Sequence, residues 1–314
     1  MTTAIDLGRE GTVVDAIKKL KTKIFGLPDF GPRYIPMRDA NSKYETSYLN
    51  ILNLTDIRAC VRQVILTVGK PLHTASGPRQ LVIALRDALF GLRNLYRLGY
   101  VHRDVSSGNT YITEPMQGFH ILRDGGLGKE THASSGMAGD FDLCIGRDDK
   151  DRQIHSHRTG TLPFMAIDLL SSLQLPYHSP IHDMESVMWV LVWVVGHKNV
   201  DVAGDEPNPQ DVKLCDDMSV ANMTMDLVAH RKRSLLHILQ RLTSRRSGNL
   251  EPFRNLLVEG FNLVDRYVTR SEDRTSEEQT FSDEEVEEAF TAYLDVFEKN
   301  IPVETDWSHV KGGP

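Results

Sequence analysis

The stretch YVHRDVSSGNTYI, residues 100–112, decides how this chain is read. The helical periodicity before it stops at Tyr100, and polar side chains follow in a distinctive order. His102, Arg103 and Asp104 are consecutive, and Asn109 stands five residues after the aspartate. A carboxylate and an amide on one turn suit chemistry that needs positioning and charge neutralisation more than covalent help. Asp104 can accept or orient the proton of an attacking hydroxyl, and Asn109 offers a neutral oxygen to a cation. The bland alternative is a loop whose His, Arg and Asp merely satisfy backbone groups, and this spacing alone does not exclude it.

Three more segments follow in order. Gly139-Asp140-Phe141-Asp142-Leu143 sets a carboxylate, Asp140, beside an aromatic side chain, although alone it is an ordinary turn string. RTGTLPFMAIDLL, residues 158–170, carries Thr161 and Asp168. His182-Asp183 precedes VMWVLVWVV at 187–195, which falls short of the roughly 20 residues of a membrane-spanning helix. Apolar all round, that run reads as a helix sunk in a large core. A buried carboxylate is costly without hydrogen bonds, so Asp183 should have such partners.

Four partial signals in one order are stronger than any of them alone, and together they resemble the catalytic lobe of protein kinases. HRDVSSGN, DFDLC, RTGTLPFMAIDLL and HDMESVMWVLVW, with GKPL at 69–72, resemble the fungal-type protein kinase family over about residues 9–195. The resemblance implies an α+β, two-lobed kinase-like fold with ATP and Mg2+ as ligands and a protein Ser/Thr hydroxyl as acceptor. It brings no known substrate. Carried over residue by residue, it gives Asp104, Arg103 and Asn109 to catalysis, and Asn109 and Asp140 to the metal. Val68 and Gly69 fall in the nucleotide-binding hinge. His102, Phe141, Thr161, Asp168 and Asp183 support the site. Phe141 would pack under the regulatory helix, whose glutamate would be Glu10. Thr161 would hydrogen-bond near Asp104, Asp168 would anchor its segment on a distant arginine, and Asp183 would grip the catalytic-loop backbone from beneath.

The departures from the family pattern carry their own expectations. Asp142 stands where a glycine is usual, and Ser106 stands where a lysine usually meets the transferred phosphate. The helix bearing Glu10 begins so close to Met1 that glycine-rich strands and a phosphate-binding lysine find no room before it. Lys18, in Ala16-Ile17-Lys18, reads as helix surface rather than as that lysine. The expected N-lobe over 1–70 is therefore truncated to one helix and two or so strands, with the hinge near 68–71. Its strand edge would be open to a pairing partner. Transfer would be impaired, and a catalytically dead kinase-shaped binding protein is the alternative. A small-molecule phosphotransferase is a third reading, opposed by the activation-segment match at 158–170.

Along the chain, Val13, Val14, Ile17, Leu20 and Ile24 recur at helical spacing and predict a helix over 10–24. Short strands are expected at 33–37 and 59–68, and an amphipathic helix at 81–98 with Gly99 closing it. The C-lobe would span 71–300, with a glycine-rich loop insertion at 113–138 and another loop at 197–217. Further helices are expected at 225–243 and 252–268, then an exposed charged linker at 271–279. Ser282 and Glu285 form a capping box for a helix that docks Val286, Phe290, Leu294 and Phe297, and a tail follows at 301–314. Of 314 residues, 40% are hydrophobic and 25% charged, a globular composition. The net charge of -7 argues against non-specific nucleic-acid binding. Cys60, Cys144 and Cys215 match no disulfide or zinc pattern and read as reduced thiols. With no signal peptide or spanning segment in view, the expectation is an intracellular protein with no membrane or nucleic-acid partner.

Overall fold

The computed structural model describes residues 9–39, 60–123, 126–148, 160–171, 177–198, 209–218, 224–243, 248–272 and 281–308. The chain opens with helix α1, Arg9–Lys19. Val13, Val14 and Ile17 turn inward against Leu27, Phe30, Leu95, Leu122 and Phe141. The helix ends earlier than its periodicity predicts, because Lys21 adopts a left-handed conformation (φ 53°) and its N–H returns to Lys18 O at 3.1 Å. Strand β1, Lys23–Ile24, follows. Ile24 is buried as the period demands, but from a strand.

Strands β2, Phe30–Tyr34, and β3, Arg62–Ile65, form a separate antiparallel pair; β2 begins three residues before the strand expected at 33–37, and β3 is shorter than the one expected at 59–68. The register shifts between Phe30 and Arg33, where Pro32 cannot donate. Tyr34, Val64, Ile65 and Leu66 are exposed on this ribbon. Strand β4, Gly69–Pro71, then leads into helix α2, Pro78–Arg97. Proline occupies the first turn of α2 and Gly99 follows its end at φ 91°, the arrangement a C′ glycine allows.

Beyond the short strand β5, Tyr100–Val101, the structure corrects the sequence reading. The expected surface loop at 113–138 is a long hairpin, β6 Thr110–Arg123 with β7 Gly126–Ala138. Strand β6 also pairs with β4 and, in parallel, with β1. The small residues that read as loop are there because β7 lies directly on α2. A Cβ on Gly136 would stand 2.0 Å from Ala84 O. Polar side chains of α2 finish the contact. The Asp87 carboxylate accepts from Ser135 N at 2.6 Å, while Asn94 accepts from Leu122 N and donates to Phe25 O, both at 2.9 Å. Close backbone approach requires small residues, and small residues erase the alternation that announces a strand.

After strand β8, Ile145–Gly146, the regular elements among the described residues are helices. Helices α3 (Ile167–Ser171), α4 (Pro180–Lys198), α5 (Pro209–Met218), α6 (Met225–Leu239), α7 (Arg254–Glu272) and α8 (Asp283–Lys299) surround a core centred on α4. Val187, Met188, Trp189, Val190, Leu191 and Val192 are almost wholly buried there. Among the described residues no helix is long and apolar enough to cross a membrane. The loop expected at 197–217 is helical from Pro209, whose missing N–H costs nothing at a first helical position. The linker expected at 271–279 is helical at Ser271 and Glu272, and the rest of it lies outside the described residues. The Ser282–Glu285 capping box is formed reciprocally at 3.2 and 2.8 Å.

Helix α8 docks on α2 through Glu287, which receives Arg93 and Arg97. The segment after α8 straps the start of α2. Arg79 donates from its backbone to Glu304 O and from its side chain to Pro302 O, and the Trp307 indole donates to Ala75 O at 2.7 Å. Residues 309–314 of the expected tail lie outside the described residues. The Gly136→Ala variant should lose about 1–3 kcal/mol, the range for overpacking a tight contact. A urea midpoint equal to wild type would contradict the contact between β7 and α2.

Candidate functional site

Two irregular loops meet because each runs between the same two strand pairs. Residues 102–109 leave β5 and enter β6, while residues 139–144 leave β7 and enter β8. β5 pairs with β8, and β6 pairs with β7, with Thr110 opposite Ala138. The loops are therefore held side by side at both ends. Gly139 N donates to Asn109 O at 2.9 Å, and His102 Nε2 donates to Gly139 O at 3.0 Å. His102 Nδ1 accepts from Asp104 N at 3.3 Å, so the ring sits as the neutral Nε2–H tautomer between the loops.

Asp104 is half-buried and both of its carboxylate oxygens are engaged. Oδ1 accepts from Thr161 N and Thr161 Oγ1, each at 2.9 Å. Oδ2 accepts from Asn109 Nδ2 at 2.9 Å, and that nitrogen also donates to Asp104 O at 3.0 Å. The amide nitrogen of Asn109 is thus committed, and its oxygen is the end available to a cation. Ser106 is buried, and its hydroxyl accepts from Gly108 N and Asn109 N at 3.2 Å, so it staples the turn rather than facing outward.

Asp140 follows Gly139 and is exposed. Its pKa is raised, first by desolvation and then by the Asp142 and Asp104 charges, against the lowering effect of the Asp142 N–H. Glu10, on α1, is raised by desolvation and by Asp142 and Asp140, with Arg33 opposing. Lys18 is committed elsewhere, donating to Gly31 O at 2.8 Å. Phe141 is fully buried between Phe30 and His102, at centroid distances of 6.0 and 5.7 Å, beneath α1. Arg103 (φ 72°) and Asp140 (φ 63°) both hold left-handed conformations that side chains other than glycine rarely adopt. Strain gathered at two neighbouring points of two loops marks a site whose surroundings over-determine it.

Asp183 lies beneath the loop. Its Oδ2 accepts from His102 N at 3.1 Å, and its Oδ1 from Arg103 N at 3.0 Å and His178 Nε2 at 3.0 Å. Burial alone would raise its pKa, but His178 and the backbone donor hold the carboxyl below its ordinary value of 3.8. Burial also lowers His178 to about 4, so at neutral pH it serves as an uncharged donor. Asp168 accepts from Ser271 Oγ at 2.5 Å and lies 3.4 Å from His182 Nε2. Burial opposes its ionisation, but His182, Ser271 and the charge of Arg233 together hold the carboxyl below its ordinary value.

Val68 is exposed, and Gly69 packs under Tyr111, where an added Cβ would stand 2.7 Å from the Tyr111 Cβ. Sequence reasoning passed over Tyr111. It reaches from Gly69 to Gly139, and its pKa is raised by burial and by the Asp140 charge. His178 was missed too, since nothing in its spacing from Asp183 announces a contact. Tyr111 carried a usable signal, being the second residue beyond Asn109 at the start of a strand.

No group of three or more His, Cys, Asp or Glu among the described residues is arranged to hold a metal by itself. The donors present are an unneutralised carboxylate, Asp140, and an amide oxygen. They fit Mg2+, which takes one or two protein ligands and completes its shell with water and substrate phosphates. A sequence model of the fungal protein kinase family matches residues 10–195. No curated protein matches the chain.

The Asp183→Asn variant replaces one charged acceptor with an amide and should lose about 1.5–3 kcal/mol. Because the folded pKa is depressed, this difference should be full above the unfolded value of 3.8 and close as the pH falls through the folded value. Denaturant melts of both proteins between pH 7 and pH 3 read it, and a gap independent of pH would refute the assignment.

Proposed function

The chain belongs to the fungal protein kinase family, and from that premise we propose that it moves the γ-phosphate of ATP to a Ser/Thr hydroxyl of a protein. The observation that carries this is the fixed carboxylate of Asp104, held by Thr161 and Asn109 beside the loop bearing Asp140. Asn109 and Asp140 would hold Mg2+, which when bound supplies charge neutralisation on the phosphates. Asp104 accepts the acceptor hydroxyl's proton as its oxygen bonds to the γ-phosphorus and the bond to the departing ADP breaks. Thr161 and Asn109 restrict its rotation, so the accepting oxygen is placed before the acceptor arrives. Val68, Gly69 and Tyr111 would border the base.

Transfer by these residues should be slow. The charges that bear most on Glu10 are Asp142 and Asp140, with Arg33 opposing, and Lys18 is turned to Gly31 O. With no lysine beside Glu10 among the described residues, positive charge at the phosphates falls to the metal, and loss of one preorganised donor costs roughly 10²–10³ in rate. The same acidic surroundings favour a second reading, a kinase-shaped protein that binds nucleotide or partner without turnover. Cys60 and Cys144 are free thiols, which suits an intracellular protein.

Radiolabelled ATP with casein as acceptor tests the first reading. Wild type should incorporate label, and Asp104→Asn should reduce it by about 10²-fold or more; equal incorporation by both would remove the claim. Nucleotide binding separates the two readings from a folded but empty site. ATP should raise the melting temperature only when Mg2+ is present, and Asp140→Asn should abolish that rise. The same substitution should leave the ligand-free protein as stable or slightly more so, since it relieves repulsion on Glu10 and Asp142. An ATP-dependent shift that survives in Asp140→Asn would count against the assigned ligand.

A further inference from the structure

Beyond the site itself, α4 and α6 enclose a charged pair that the sequence reading did not single out. Glu185 and Lys232 are both buried, Lys232 completely. Glu185 Oε1 accepts from Ile167 N and from Trp189 Nε1, each at 2.8 Å. The Lys232 ammonium donates to Met165 O and lies 4.7 Å from the centroid of the Trp189 ring. Two opposite charges therefore take two opposite backbone groups, one on each side of Ala166, which is itself fully buried.

We propose that Glu185 and Lys232 form a clamp that positions residues 161–167, which hold the Asp104 carboxylate through Thr161, and thereby the acceptor side of the site. This rests on the phosphotransfer reading for the word acceptor, but the clamp stands on its own contacts. The lever is short. Between the clamped residues and Thr161 lies a single 3-10 turn, Leu162–Phe164, closed by Phe164 N donating to Thr161 O at 2.9 Å. At its far end Thr161 gives both donors to Asp104 Oδ1. Gly160, at φ 123°, lets the chain pass Arg103 O, which an added Cβ would meet at 3.2 Å.

A purely structural role explains the pair poorly. A buried ion pair is seldom better for stability than apolar side chains of the same volume, and α6 offers Val228, Ala229, Leu235 and Leu236 as neighbours suited to such packing. Desolvation pushes Lys232 down and Glu185 up, and each charge holds the other back. What an apolar pair could not do is fix a backbone N–H and a C=O two residues apart. These are positioning residues, acting through the segment and touching no reacting atom.

Hydrogen exchange read by mass spectrometry on the full chain tests this without needing turnover. The double variant Glu185→Gln with Lys232→Met leaves no unpaired charge in the core, so it should fold even where Lys232→Met alone does not. Exchange in peptides covering 161–170 should rise about tenfold, the worth of one charge-assisted hydrogen bond, while α7 and α8 stay at the wild-type rate. In the casein assay the acceptor KM should rise about tenfold and the ATP KM should hold, because the clamp touches only the acceptor side. Unchanged exchange at 161–170, a uniform rise across the chain, or equal shifts in both KM values would overturn the proposal. If wild type transfers no phosphate, the phosphotransfer reading fails by itself, and the exchange measurement still decides whether the clamp exists.

Discussion

The architecture of the site depends on one buried carboxylate. Asp183 stands at the start of the most deeply buried helix and faces up into two consecutive backbone N–H groups of the loop above. Those groups have no strand to join, because the left-handed turn at Arg103 breaks the extended chain there. Unpaired and buried, each would cost about 1–3 kcal/mol. The carboxylate satisfies both, and in return the loop neutralises part of a charge that the apolar core would otherwise expel. His178 completes the arrangement from the other side, as an uncharged donor. Removing Asp183 would take the shared acceptor from all three donors at once, so the arrangement depends on that one carboxylate.

From that foundation upward the site becomes steadily more acidic and less balanced. Asp104 is saturated with donors, Asp140 has one weak backbone donor at 3.4 Å, and Glu10 faces like charges. The two loops could not bring these groups together without the strand pairs that frame them, since carboxylates left free would drift apart. The framework therefore stores electrostatic repulsion, which a divalent cation relieves when it binds.

The sequence showed the site's polar residues better than the fold around them. HRD, the asparagine five residues on, and the DFD string stood out as a kinase-like pattern of residue types at fixed spacing, and the structure sets them on two adjacent loops. The helices α2, α4 and α8 were legible from periodicity, a proline, a glycine and a capping box. The hairpin β6–β7 was not. Its contact with α2 requires Gly136 and neighbouring serines, and those residues read as a loop in the absence of the helix they touch. Helix α1 was overextended because Ile24 falls on the helical period yet is buried from a strand. Long-range partnerships were legible only where a motif carried them, as for Asp183 beneath the loop and Thr161 on Asp104. Glu185 looks like a first-turn acid of α4, Lys232 looks like one cation in a basic run, and only the folded chain shows that they share a pocket with Trp189.

The strap after α8 has a consequence for how this polypeptide reaches its native state. Arg79 and Pro302 are 223 residues apart in the chain, yet the first turn of α2 is completed by that contact. A long helix that belongs to both the hairpin and the helical core therefore keeps an unfinished end until the ribosome has made the segment around Pro302. Joining segments so distant is entropically slow, and the closing step comes late. Folding of this protein is thus not a simple march along the chain; the start of α2 waits for the segment after α8 to be tied down.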